Sequence, residues 1–223
     1  MVYQMTQRQR IFGDSLVVTL IIFLLAFSLG LLVEHWRASD IVDSYKSYEL
    51  EALDLKLQNY YFQTMSRSNC DLAIEQNYQF ADTLYSKGLI LEKYEENNQI
   101  TDTLLFEKKR YVLLKTELWL NALLLKEKCN ADFDTLVYFY SADPANSAIV
   151  AQQKIISNVL RDIKGRRGDA LILLPIAGDL GLDSIDLQMR AHNVSYLPSL
   201  LINEETILEG YQTPETIEHF LTH

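Results

Sequence analysis

Two cysteines are the residues in this 223-residue chain whose side chains are best suited to chemistry. Cys70 and Cys129 match the spacing of neither a redox motif nor a zinc motif. Three interpretations stay open for them: a structural disulfide, a redox-active pair, or two separate thiols. The four histidines, at positions 35, 192, 219 and 223, are too scattered to favour a metal cluster. We therefore expect no cofactor.

The cysteines lie in a region that reads as helical. Residues 34–130 contain no proline and one glycine, and apolar side chains recur at helical spacing. The pattern predicts a coiled-coil-like stalk of three helices over residues 34–131, running up, down and up. Antiparallel packing of the last two helices would bring Cys70 and Cys129 to the same end of the stalk. A disulfide there would close a loop of about 60 residues and would persist outside the cytoplasm.

An uncharged apolar stretch precedes this region. Residues 15–33 are long enough to cross a hydrocarbon core of about 30 Å, which predicts a transmembrane helix. Arg8 and Arg10 lie before it, so the positive-inside rule favours a cytoplasmic segment 1–14 and an extracytoplasmic remainder. A cleaved signal peptide is the alternative, because residues 26–28 loosely resemble a cleavage site. We expect a single-pass membrane protein.

The net charge of −10 bears on the partners of the chain. An acidic surface repels phosphate backbones and releases no counterions from nucleic acid, so DNA and RNA are poor candidates. A basic protein surface suits this charge better.

The pattern changes near Asp132 from helical periodicity to short apolar runs separated by turn signals. Over residues 132–223 the order of elements reads β-α-β-α-β-β-α, which predicts an α/β domain that begins with a right-handed βαβ unit. Asp143 and Pro144 after the first strand suit the cap and the first position of a helix.

The residues Val194-Ser195-Tyr196-Leu197-Pro198-Ser199-Leu200-Leu201-Ile202, followed by Glu209-Gly210-Tyr211, carry a resemblance to the thioredoxin-like superfamily. The resemblance covers residues 133–223. It implies that Pro198 is the family's cis-proline and that Gly210 is the glycine after the last strand. The alternative is another small α/β sandwich with an ordinary trans Pro198.

Redox-active members of that superfamily carry a Cys-x-x-Cys just after the first core strand. Here the position reads Ser141-Ala142-Asp143-Pro144-Ala145-Asn146-Ser147-Ala148, without a thiol. No neighbouring His or Lys could activate a serine instead. We therefore expect a redox-inactive domain that is not an enzyme. By resemblance, the loop before the cis-proline can still pair with an extended peptide, so the expected binding surface consists of Asp143, Pro144, Tyr196, Leu197 and Pro198.

These expectations combine into a membrane-anchored, redox-inactive, thioredoxin-like module that binds or positions an extracytoplasmic protein or peptide. Two other functions stay open. The protein could be an accessory in thiol–disulfide exchange through Cys70 and Cys129. It could also be a structural protein that forms homo-oligomers through its Tyr- and Leu-rich helices.

Overall fold

A computed structural model describes residues 16–31, 53–54, 56–57, 60, 70–96, 102–143, 145 and 147–222. The chain divides into two compact units, Met1–Leu50 and Glu51–His223. In the first unit residues 16–31 form a helix, α1. Arg8, Arg10 and the first predicted stalk helix up to residue 52 lie outside the described residues.

The predicted transmembrane helix over residues 15–33 is wrong. Within the described ranges, no helix is both long enough and apolar enough to cross a membrane.

Two long helices, α2 (Cys70–Glu96) and α3 (Asp102–Cys129), form an antiparallel hairpin in the second unit. At one end of the hairpin a disulfide joins Cys70 to Cys129. Further along, the Tyr111 hydroxyl donates a hydrogen bond of 2.8 Å to the carbonyl of Leu84. Gly88 lies so close to Tyr111 that a Cβ there would overlap the phenol ring. Any other residue at position 88 would clash with Tyr111, so this contact between α2 and α3 requires glycine.

The rest of the unit is α/β, with the order of elements predicted from the sequence. The sheet order is β2-β1-β3-β4; β1 and β2 are parallel, and the other neighbours are antiparallel. The elements are β1 (Asp134–Tyr140), α4 (Ser147–Arg167), a 3-10 turn (Gly168–Ala170), β2 (Leu171–Ala177), α5 (Asp183–Ala191), β3 (Ser199–Ile202), β4 (Thr206–Glu209) and α6 (Pro214–His219).

Each face of the sheet is covered by helices. On one face Leu136 and Tyr138 of β1 pack with apolar residues of α4 and α6. On the other face Val137 and Phe139 of β1 share a core with residues of α2, α3 and α5. The α2–α3 hairpin is thus part of the packing of the sheet, which differs from the predicted stalk. The reason is that α3 is apolar on two sides, one facing α2 and one, which includes Trp119, facing the sheet.

Lysines bind the edge strand β2. The carbonyl of Pro175 accepts a hydrogen bond of 2.8 Å from Lys115 Nζ, and that of Leu171 accepts one of 2.8 Å from Lys164 Nζ. Pro175 has no N–H to offer. Burial lowers the pKa of Lys164, although nearby Asp169 and Asp82 oppose the shift.

A group of buried and half-buried side chains, joined by hydrogen bonds, connects the β3–β4 turn to β1 and to α3; we call it the turn network. Its members are Trp119, Lys126, Asp134, Thr135, Asn203 and Glu204.

Asn203 and Glu204 form the tip of the turn, and both have positive φ, 49° and 60°. The Asn203 side chain accepts from Thr135 N–H (2.9 Å) and donates to Asp134 (2.7 Å). The Glu204 carboxylate accepts from Trp119 Nε1 (2.8 Å) and from the Thr135 hydroxyl (2.7 Å). The hydrogen bonds of their side chains thus hold Asn203 and Glu204 in a backbone conformation that glycine favours.

Candidate functional site

Three segments meet at the end of the sheet opposite the turn network, and together we call them the loop site. The register aligns Tyr140 with Ala177 and Phe139 with Ser199, so the residues beyond these positions are neighbours. Loops at the carboxyl ends of parallel strands are common ligand sites in α/β proteins. The loop site consists of Ser141, Ala142, Asp143, Gly178, Asp179, Tyr196, Leu197 and Pro198.

Asp179 fixes the loop after β1. Its carboxylate accepts a hydrogen bond of 2.5 Å from the Ser141 hydroxyl and one of 2.7 Å from the N–H of Ala142. The N–H of Asp143 in turn donates to Ser141 Oγ at 3.2 Å. The carboxylate therefore holds consecutive groups of the loop in one conformation.

Gln153 of α4 holds the same loop from the other side. Its side-chain oxygen accepts from the N–H of Ser141 at 2.6 Å, and its side-chain nitrogen donates to the carbonyl of Ser141 at 3.0 Å. This pair of bonds copies the pattern of a β-ladder. The end of β1 is thus positioned by α4 and by the loop after β2 together.

The predicted helix cap at Asp143 is wrong. Helix α4 begins at Ser147, and the Asp143 carboxylate accepts from the N–H of Ala145 at 2.9 Å, which closes a turn ahead of the helix. Short side-chain bonds of this kind compete with helix initiation. Asp143 itself is exposed, whereas Pro144 lies outside the described residues.

The segment before β3 combines packing with open backbone groups. The Leu197–Pro198 peptide bond is cis, as the resemblance implied, and Pro198 is buried. The Leu197 side chain packs against Gly178, where a Cβ would lie 3.1 Å from its methyl groups. The Tyr196 side chain is 47% exposed.

The backbone of Leu197 is the distinctive feature of this segment. The carbonyls on either side are occupied: that of Tyr196 accepts from Ser199 Oγ (2.6 Å), and that of Pro198 accepts from Gly210 N–H (2.9 Å). Among the described residues, the N–H and the C=O of Leu197 have no hydrogen-bond partner. Backbone groups left open in this way are available to an incoming chain.

The structure brings most of the predicted surface to one place. Asp143, Tyr196, Leu197 and Pro198 all lie at the loop site, although their role in binding stays a prediction. Sequence reasoning missed Asp179, Gln153 and Gly178. The position of Asp179, just after the second parallel strand, is the signal that could have revealed it.

Both cysteines of the chain lie away from the loop site, in the Cys70–Cys129 disulfide. Their Cα atoms are 5.5 Å apart, and 59 positions separate them in sequence. The expected disulfide is confirmed, whereas a role in thiol exchange stays untested. At the loop site, Ser141 is hydrogen-bonded to a carboxylate and to backbone groups, an arrangement that suits loop positioning.

Comparison of the sequence with protein-family models and with curated proteins finds no match. The thioredoxin-like resemblance therefore rests on the residues quoted for it, and it enters below as part of a proposal.

Proposed function

We propose that the second unit is a thioredoxin-like binding module without thiol chemistry, and that its loop site binds an extended segment of a partner protein. The open N–H and C=O of Leu197 carry this proposal. An extended chain running past Leu197 could satisfy both groups at once, in the manner of an added β-strand.

The rigidity of the loop site supports the proposal. Asp179 and Gln153 fix the β1 loop beside Leu197 before any partner arrives. A surface that is already ordered loses less conformational entropy on binding. Exposed Tyr196 adds an aromatic side chain, a residue type enriched among the strongest contributors to interfaces.

The charge around the loop site favours a basic segment. Asp143 and Asp179 are both exposed there, against one nearby cation, Lys108, whose Nζ lies 5.7 Å from the centre of the Tyr140 ring, and the chain as a whole is acidic. Carboxylates on the rim attract lysine and arginine and raise the association rate, an effect that salt weakens. The disulfide supports a location in an oxidising compartment outside the cytoplasm, where partners would be found.

Binding of immobilised decapeptide libraries to the 223-residue chain tests this function. One library alternates Lys or Arg with apolar residues, and the other alternates Asp or Glu with the same residues. We expect the basic library to bind, and Tyr196→Ala to weaken that binding about tenfold, the loss typical of an interface aromatic.

The matched control is Tyr85→Ala, because Tyr85 lies on α2 and is 45% exposed against 47% for Tyr196. It should leave binding unchanged. Preference for the acidic library would contradict the proposed charge. Equal losses from the two tyrosine variants would contradict the proposed surface.

A further inference from the structure

The disulfide end of the α2–α3 hairpin differs from the rest of the hairpin in what holds it together. The Cys70–Cys129 bond is the covalent link between the two helices at this end, because the chain runs from Glu96 to Asp102 at the opposite end. Both cysteines are half-buried, so a thiolate from solvent can reach their sulfur atoms. The bond is therefore accessible to thiol–disulfide exchange.

Two buried amides lie about two helical turns from the disulfide. The register that pairs Cys70 with Cys129 places Asn77 opposite Ala122, next to Asn121. Asn77 and Asn121 are 2% and 4% exposed, and among the described residues Asn77 Oδ1 and Asn121 Nδ2 have no hydrogen-bond partner. We call these two side chains the polar layer. Buried amide atoms without a partner destabilise the closed helix pair, and contact with water would relieve that penalty.

Apolar packing is also weaker at this end of α2. Within residues 70–79 the buried side chains are those of Ala73 and Asn77, with Ile74 and Tyr78 half-buried. From residue 80 onward the buried side chains of α2 are large and apolar: Phe80, Leu84 and Leu91. Hydrophobic stabilisation grows with the apolar area removed from water. Residues 70–79 are therefore held less firmly by packing than the rest of α2.

Tyr78 connects this segment to the start of β1. Its ring packs edge-on against Phe133, with ring centres 5.9 Å apart, and Lys126 Nζ of the turn network lies 5.6 Å from the centre of the same Phe133 ring. Phe133 is 2% exposed. Withdrawal of residues 70–79 would uncover this side chain.

We propose that the Cys70–Cys129 disulfide is a redox switch, whose reduction releases residues 70–79 from α3 and brings the polar layer into contact with water. An external dithiol supplies the electrons. One of its thiolates attacks a sulfur of the disulfide, which forms a mixed disulfide and releases the other cysteine as a thiolate; its second thiol then displaces the first cysteine. The dithiol becomes a disulfide, and Cys70 and Cys129 together take up its two electrons and two protons. The chain is the substrate of this exchange, so the proposal does not rest on what the loop site binds.

Hydrogen–deuterium exchange of the 223-residue chain, with and without dithiothreitol, tests the switch. We expect the amides of residues 74–79 to exchange at least about tenfold faster in the reduced chain, and those of residues 84–91 and of β1 to keep their rates. Reoxidation with oxidised glutathione should restore the slow exchange. Unchanged exchange at residues 74–79 would overturn the proposal. Faster exchange throughout the chain would overturn it too, because the bond would then hold the whole unit together.

Substitutions in the reduced chain test the polar layer. Asn77→Leu replaces an unpartnered amide with an apolar side chain, so it should slow the exchange of residues 74–79 about threefold or more. Asn77→Val makes the same test with a smaller side chain that does not overfill the site. Asn158→Leu, at an exposed position of α4, is the matched control and should leave that rate unchanged. Circular dichroism checks that the variants fold. Exchange as fast in both Asn77 variants as in the unsubstituted reduced chain would contradict the role of the polar layer.

Discussion

At one end of the sheet the turn network is centred on the buried side chains of Asp134 and Thr135, whereas at the other end the carboxylates of the loop site, Asp143 and Asp179, are exposed. Asp134 and Asp179 represent the two ends. The Asp134 side chain is 1% exposed and accepts from Asn203 and Thr222; exposed Asp179 accepts from Ser141 and Ala142. Losing a buried partner leaves a polar group without water, whereas water replaces an exposed partner. The hydrogen bonds of the turn network should therefore contribute to the free energy of unfolding. Those of the loop site should mainly determine the conformation of the loop.

The largest effect is expected from Asn203→Ala. The variant leaves the buried N–H of Thr135 without a partner and removes one of the hydrogen bonds to Asp134, which keeps that from Thr222, so the free energy of unfolding should fall by about 3 kcal/mol. Asn193→Ala is the matched control. Asn193 also has positive φ, 56°, but it is exposed, so the variant should cost only about 1 kcal/mol of backbone strain. Urea denaturation measures both, and equal losses would remove the distinction between the two ends.

Glu204→Gly should change the free energy of unfolding by less, and the sign of the change shows whether backbone conformation or hydrogen bonding dominates at the turn. Glycine relieves the positive φ of 60°, a gain of about 1 kcal/mol, but it removes the acceptor of buried Trp119 Nε1 and of the Thr135 hydroxyl. We expect a net loss of about 1–2 kcal/mol, with a shift in Trp119 fluorescence. A more stable variant would show that conformation, and not hydrogen bonding, dominates at this turn.

Asp179→Ala at the loop site should change stability least, by about 0.5–1 kcal/mol, because Ser141 and Ala142 can then bond to water. The N–H of Ala142 should nevertheless exchange faster with solvent, which hydrogen-exchange NMR measures residue by residue. Asp183→Ala, a nearby exposed change, should leave that exchange rate unaltered. A loss of several kcal/mol on Asp179→Ala would mean that the loop site is as structural as the turn network.

Sequence patterns predicted the α/β part of this fold because its signals are local. Apolar runs bounded by turn residues mark β1 and β2, and Thr213 with Pro214 marks the start of α6, where the Thr213 hydroxyl accepts from the N–H of Thr216. Antiparallel packing of α2 and α3 predicted that Cys70 and Cys129 lie at the same end of the helices, where the structure has them bonded. Each of these inferences needed only neighbouring residues or one pair of helices.

The remaining features depend on contacts between distant segments. Apolar side chains on α3 look the same in sequence whether they face α2, the sheet or solvent. Trp119 reaches Glu204, which lies 85 positions later, and Ser141 reaches Asp179 across 38. Single polar residues such as Glu204 and Asp179 carry no periodicity, so only the assembled sheet shows what they bind. Asp179, Gln153 and Gly178, which sequence reasoning missed, all act through contacts with residues distant in sequence.

The lysines on β2 have a consequence for the protein at high concentration. Sheets grow by adding strands at open edges, and this growth begins many amyloid-like deposits. At β2 an arriving strand would have to displace Lys115 and Lys164 from the carbonyls of Pro175 and Leu171, and it would find no N–H at Pro175. This edge is therefore protected against fibril formation.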